Sequence, residues 1–247
     1  MPTFIGEAIA LRGGFGAVLN LFDISAIVWL AIIACLALLW QSEDTVDPSA
    51  RDWAVTALVV AVGIMPFPAL SAAVLGIAGL WGIFTAPAGS PARRASIILL
   101  SLSAFFFWGR VLLALGAGPM LAADAQFVSW LSGLPASGNI VTSVDGTKFV
   151  IAPGCSSLHS ISLALVLWTT ALAWFARPVT ARHVAFLALA IAATIAVNGL
   201  RLAMIGWNPE HFDYWHIGDG AILFGWGALF AVTGVLYMGM RHDLRKA

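Results

Sequence analysis

The sequence predicts an all-α membrane protein: a bundle of seven or eight transmembrane helices with a small extracytoplasmic insertion of helix and β-hairpin. Three observations predict it. Apolar residues make up 61% of the 247-residue chain and charged residues only 10%, where a soluble domain carries about a quarter charged. The mean hydropathy is +0.95. A series of apolar runs also approaches the roughly 20 residues that a spanning helix needs. Twelve basic and twelve acidic residues cannot cover a water-facing surface of this size, so most of that surface faces lipid. Their zero net charge gives no reason to expect nucleic acid as a partner. Eleven Trp and fifteen Phe suit anchoring at membrane interfaces.

Taken in order, residues 1–21 carry no basic leader region and are interrupted by Arg12-Gly13-Gly14. They read as a surface-lying amphipathic helix or an eighth span, with no cleavable signal peptide expected. Seven apolar runs follow, at 22–40, 53–66, 68–86, 95–118, 156–176, 183–206 and 220–240. Met65-Pro66-Phe67-Pro68 marks a tight hairpin between the second and third, because proline disfavours helix continuation. Arg93-Arg94 precedes the fourth span, Arg177 and Arg182 lie between the fifth and sixth, and Arg241, Arg245 and Lys246 follow the seventh. An even number of spans separates each group from the next, so all three share one side, which the positive-inside rule makes cytoplasmic. The opposite side holds 119–154 and 207–219. Within the first, 122–131 reads as an amphipathic helix on the membrane surface. Residues 139–151 alternate around Asp145-Gly146 as a β-hairpin.

Three reactive groups fall on that extracytoplasmic side. Cys155, in Pro153-Gly154-Cys155-Ser156-Ser157, opens the fifth span, where a helix N-terminus favours a thiolate. Arg201, in Asn198-Gly199-Leu200-Arg201, lies late in the sixth. A guanidinium cannot shed its charge, so within a membrane helix it needs a partner or must snorkel to the interface. His216 precedes the seventh span in His216-Ile217-Gly218-Asp219-Gly220. Singly, each has a plain reading: a packed thiol, a snorkelling arginine, an interfacial loop histidine. Together they supply a nucleophile, a charge stabiliser and a proton carrier. Asn198 shares a helical face with Arg201 and either holds the guanidinium, donates to an oxyanion, or makes a helix–helix contact. His159, one turn after Cys155, is a rival base. Asp219 either orients the His216 imidazole or caps the seventh span. Cys35, inside the first span, reads as a buried thiol. No metal-ligand spacing, phosphate loop or dinucleotide fingerprint occurs, so no metal and no cofactor is expected.

These three segments resemble the signature of the exosortase/archaeosortase family of membrane-embedded cysteine transpeptidases: a Cys-Ser-Gly-like motif opening one span, Asn-x-x-Arg late in the next, and a His followed by glycines before the last. Ser157 stands where the family usually has glycine. The resemblance covers roughly 94–240, dividing the chain into N-terminal membrane helices at 1–94 and an exosortase-like catalytic core at 95–247. It implies a cysteine protease of the cytoplasmic (inner) membrane, multi-pass, with its active site on the extracytoplasmic side. The implied substrates are exported proteins with a C-terminal motif, a transmembrane helix and a basic tail. Membrane lipid surrounds the protein, and the acceptor nucleophile is unknown. Cys155 would form a thioester, His216 would act as general acid and base, and Arg201 would stabilise the thiolate or the oxyanion. Two other classes compete: a small-solute transporter and a non-catalytic membrane assembly protein. A carrier would place polar residues near the bilayer midplane and show internal repeats. Here they gather at one surface.

Overall fold

The computed structural model describes residues 20–21, 24–42, 48–65 and 68–244. The choice for 1–21 between a surface helix and an eighth span therefore lies outside the described residues, Asn20 and Leu21 apart. So do Pro66 and Phe67 of the predicted hairpin. Asn20 and Leu21 open the described chain in a short antiparallel ladder, β1 (Asn20–Leu21) with β2 (Ile24–Ser25). Helices follow: α1 (Ala26–Trp40), α2 (Ala50–Gly63), α3 (Pro68–Thr85), α4 (Pro91–Ser103) and, after a π-helical turn at Ala104–Trp108, α5 (Gly109–Ser132). A three-stranded insertion, β3 (Ala136–Ser137), β4 (Ile140–Thr142) and β5 (Lys148–Val150), leads to a 3-10 turn at Pro153–Cys155. Then come α6 (Ser157–Trp174), α7 (Ala181–Trp207), a 3-10 turn at Pro209–His211, the single-turn α8 (Phe212–His216) and α9 (Asp219–Leu244).

The chain is a helical membrane protein. Among the described residues, Ser157–Trp174, Ala181–Trp207 and Asp219–Arg241 are long and apolar enough to cross a bilayer. Ala26–Trp40 and Leu70–Thr85 are apolar but shorter; at 1.5 Å per residue, α1 reaches only about 22 Å against a hydrocarbon core of about 30 Å.

Where the sequence suggests a fourth span at 95–118 and a separate surface helix at 122–131, the structure has helical chain from Pro91 to Ser132 with two interruptions. The first is the π-helical turn. The second is Gly116, whose φ of −139° and ψ of 23° leave the helical region. Pro119 explains it: its ring cannot hydrogen-bond to residue 115 and crowds that carbonyl, and a glycine three residues earlier absorbs the bend.

The chain forms two compact units. One comprises Ile27–Val111 and Leu165–Thr180. Here Gly79 lets α3 approach the α4 backbone so closely that a Cβ would sit 2.8 Å from Leu100 N, the small-residue packing by which membrane helices meet. Ser103 Oγ donates to Ala72 O across the same seam at 2.6 Å. Cys35 is buried, its thiol 3.5 Å from Ala95 O. Arg94 donates to Ala173 O and Trp174 O at 3.1 and 3.0 Å, placing a cation on the terminal carbonyls of α6. That helix ends with Ala176 at φ 51°, with Ala176 N–H bonded to Ala173 O and Arg177 N–H to Leu172 O, the paired C-terminal closure that a left-handed residue permits.

The other unit comprises Met1–Ala26, Leu112–Ala164 and Ala181–Ala247. Leu121, Ala125 and Val128, one stripe of α5, are buried with Leu202, Ala203 and Ile205 of α7 and with Leu134, Val141 and Ile151 around the insertion. Gly199 allows this approach: a Cβ there would lie 2.5 Å from the Phe127 ring. The predicted hairpin is present. Val141 pairs with Phe149, and Ser143 N–H bonds to Thr147 O at 2.8 Å. Gly146 takes φ +86° in the turn, which glycine adopts without strain. Asp145 Oδ1 accepts from Thr147 N and Oγ1 at 2.9 and 2.7 Å, which holds its carboxyl below the ordinary carboxylate range, the hydroxyl bond contributing most. Strand β3, pairing with β4, goes beyond the sequence expectation. At the far end of α7, Arg182 donates to Met238 O at 3.2 Å, so the start of α7 adjoins the end of α9.

Candidate functional site

Cys155, His159, Asn198, Arg201, His216 and Asp219 all lie in this second unit. Residues 151–157 form a short bridge from sheet to helix. Ile151 is fully buried and its N–H bonds to Asn139 O at 2.8 Å, anchoring the end of the hairpin. Pro153 then opens a 3-10 turn closed by Cys155 N–H to Ala152 O at 2.9 Å. Ser156 returns to extended backbone, and its hydroxyl accepts from Leu158 N–H at 3.1 Å, so Ser156 is the N-cap of α6. Cys155 therefore stands one residue outside the cap, on the turn that leads into the helix N-terminus. Its side chain is half-buried against the core that α5, α7 and the insertion share.

The imidazole is delivered to it by the segment before α9. The sequence reads 207–219 as a bare link; folded, it holds the 3-10 turn and α8. The N–H groups of Ile217 and Gly218 both bond to Asp213 O, at 3.0 and 2.8 Å. Trp215 packs against the same core as Cys155, and the His216 ring lies on Phe212 with centroids 4.8 Å apart. Gly220 is small for a reason, since a Cβ there would strike the rings of Trp215 and Tyr214 at 2.6 and 2.8 Å. The result is Cys155 Sγ 3.3 Å from His216 Nε2 across 61 residues of sequence.

Helix α7 supplies the other two groups. Asn198 Nδ2 donates to Cys155 O at 2.9 Å and lies 3.4 Å from Ser157 Oγ. Asn198 thus holds the thiol-bearing turn, and no hydrogen bond from it to Arg201 is present among the described residues. Arg201, half-buried one turn on, interacts electrostatically with Cys155. Its Nε is buried with no hydrogen-bond partner among the described residues, which leaves a donor available in a place where an unmet donor is costly.

The remaining expectations fare differently. His159 is exposed on α6 and feels the Arg201 charge; the imidazole at hydrogen-bonding distance from Sγ is that of His216. Asp219 is exposed as the first residue of α9, with no hydrogen bond to His216 among the described residues. There it complements the helix N-terminus by charge. One residue escaped sequence reading altogether. Asp124, half-buried on α5, accepts from Ser157 N–H through Oδ2 at 3.1 Å, satisfying an otherwise orphaned donor at the start of α6. Nothing in the local sequence ties a carboxylate 33 residues away to that helix end. Among the described residues, no group of three or more His, Cys, Asp or Glu side chains gathers to hold a metal ion.

A thiol, an imidazole within hydrogen-bonding reach, and an unsatisfied guanidinium donor can together carry out nucleophilic acyl transfer. Comparison with known proteins bears on that chemistry. The family model described as transmembrane exosortase (Exosortase_EpsH) matches residues 22–233, taking in the N-terminal helices as well as the motif-bearing ones. No curated protein and no solved structure matches.

Proposed function

Because the chain belongs to the transmembrane exosortase family, we propose that it is a membrane-embedded cysteine transpeptidase that cuts the C-terminal sorting signals of exported proteins. Membership of that family supports sorting of exported proteins in general. The observation that carries the catalytic reading is the 3.3 Å approach of Cys155 Sγ to His216 Nε2. His216 takes the thiol proton as Sγ attacks the scissile carbonyl. Arg201, with its unmatched Nε donor, faces the negative charge of the resulting tetrahedral oxyanion. Collapse breaks the C–N bond, His216 returns the proton to the departing amine, and a thioester remains on Cys155. An acceptor nucleophile, or water, deprotonated by His216 then releases the new acyl product and regenerates the thiol.

Asn198 acts as a positioning residue through the Cys155 carbonyl. Asp219 and His159 stand outside the reacting set. The site belongs on the extracytoplasmic face of the cytoplasmic membrane: basic residues flank the opposite ends of α6, α7 and α9, and the Arg182–Met238 bond brings two of those ends together. With the shorter helices counted, we read seven spans, the catalytic groups belonging to the unit built from α5, the insertion, α7 and α9.

Co-expression with an exported reporter bearing a motif, a helix and a basic tail tests the proposal. Cys155→Ala, Arg201→Ala and His216→Ala each abolish cleavage at normal protein abundance, whereas His159→Ala keeps most of it. Continued cleavage by Cys155→Ala overturns the mechanism. Mass spectrometry of the trapped thioester on Cys155 is the direct confirmation.

A further inference from the structure

We infer that the outer edge of β5 is the docking strand for the substrate, which binds as an added antiparallel or parallel strand immediately upstream of Cys155. The inference rests on the transpeptidase reading above and names how its protein substrate is held.

The ladder register carries the argument. In an antiparallel pair, alternate residues exchange both backbone bonds and the intervening ones point both groups away. Ser143 N–H to Thr147 O and Ile151 N–H to Asn139 O, on either side of the Val141–Phe149 pair, identify 147, 149 and 151 as the residues facing β4. Lys148 and Val150 therefore turn their N–H and C=O groups outward. The sheet order is β3-β4-β5, so β5 is an edge, and among the described residues no hydrogen bond reaches those four groups. Both side chains are exposed, Val150 at 58%. Unpaired edges of this kind are templates for an extended chain, main-chain bonds supplying affinity and alternate side chains specificity.

Continuity with the site selects the occupant. From Val150 the chain passes through buried Ile151 straight into the 3-10 turn that carries Cys155. A strand laid on this edge is delivered to the nucleophile by the same rigid segment that positions the thiol. A protease must also hold its scissile segment extended, because a helical backbone shields its carbonyls in internal hydrogen bonds.

Val150→Pro removes one outward donor and leaves the bonds to β4 intact, since edge positions with the N–H outward tolerate proline. With the full-length protein in proteoliposomes and a synthetic peptide copied from a host exported protein's C-terminal motif, KM should rise about two- to tenfold. The kcat should stay within about twofold. If Val150→Pro does not accumulate, the native protein decides: peptides N-methylated at successive backbone positions should lose affinity at every second position. A flat methylation profile, or an unchanged KM in Val150→Pro, overturns the inference. Either result would leave cleavage dependent on Cys155, whereas failure of the transpeptidase reading itself appears as cleavage by Cys155→Ala.

Discussion

Asn198→Ala is the most informative single substitution, because it leaves every proposed reacting group in place and removes only what holds one of them. In the structure Asn198 Nδ2 donates to Cys155 O at 2.9 Å and approaches Ser157 Oγ at 3.4 Å. Truncation to alanine strips the Cys155 carbonyl of that donor in a half-buried setting. Leaving such a group unsatisfied costs about 1–3 kcal/mol. If the thiol-bearing turn is correctly placed only while that bond exists, the cost falls on the transition state. At about 1.36 kcal/mol per decade, cleavage slows roughly 5- to 150-fold. The effect should lie mainly in kcat, because the carbonyl is not part of the docking edge. Asn198→Asp should do no better, since a carboxylate cannot donate and would face the carbonyl oxygen. The assay is initial-rate cleavage of the reporter peptide in proteoliposomes, alongside labelling of Cys155 by a membrane-impermeant thiol reagent to show that the turn remains exposed. A rate within about twofold of the native protein, at equal abundance, would refute the reasoning.

Three further outcomes follow from packing, backbone and charge. Gly199→Ala forces a methyl into the Phe127 ring, 2.5 Å from its nearest carbon. Such overpacking costs about 1–3 kcal/mol, so melting temperature in detergent should fall, and Phe127→Leu in the same chain should restore much of it. Ala176→Gly should raise the melting temperature by relieving a left-handed alanine at φ 51°, a strain of about 1–2 kcal/mol. Asp145 has a folded pKa below its ordinary value of 3.8, chiefly through the Thr147 hydroxyl. Its contribution to the hairpin turn is thus fully present above that ordinary value and is lost as pH falls through the lower, folded one. Amide-exchange protection at Thr147 should therefore persist at neutral pH and decline below about pH 4, and Asp145→Asn should remove that acid-range decline.

Much of the fold was legible because apolar run length is a local property. The helices of 26–40, 157–174, 181–207 and 219–244 follow hydropathy alone, and the Asp145-Gly146 turn follows from the one residue pair that suits it. The fourth span was harder to read. Its hydropathy is continuous, but Pro119 acts on the carbonyl four residues earlier, and the chain answers with a bend at Gly116. The link at 207–219 looked featureless because a one-turn helix such as α8 has too few residues for any periodicity to show. Asp124 was invisible for a different reason: its partner is a backbone N–H, which leaves no mark on the sequence.

The residue types at the site could be read directly, since a cysteine before a span, an arginine inside one and a histidine before the last are each unusual in an apolar chain. Which imidazole meets the thiol did not follow from residue type or spacing: the family resemblance pointed to His216 and left His159 as a rival. His159 is four residues from Cys155 and His216 sixty-one, yet the 3-10 turn places Cys155 outside the helix on which His159 stands, while the packing of Trp215 against the α5–α7 core carries His216 to 3.3 Å from Sγ. Hydrophobicity and rare polar residues determined that this chain lives in a membrane and which groups are available for chemistry. Only tertiary packing decided which of them meet, because contact between distant side chains depends on how helices seat against one another and not on any property of the residues taken one at a time.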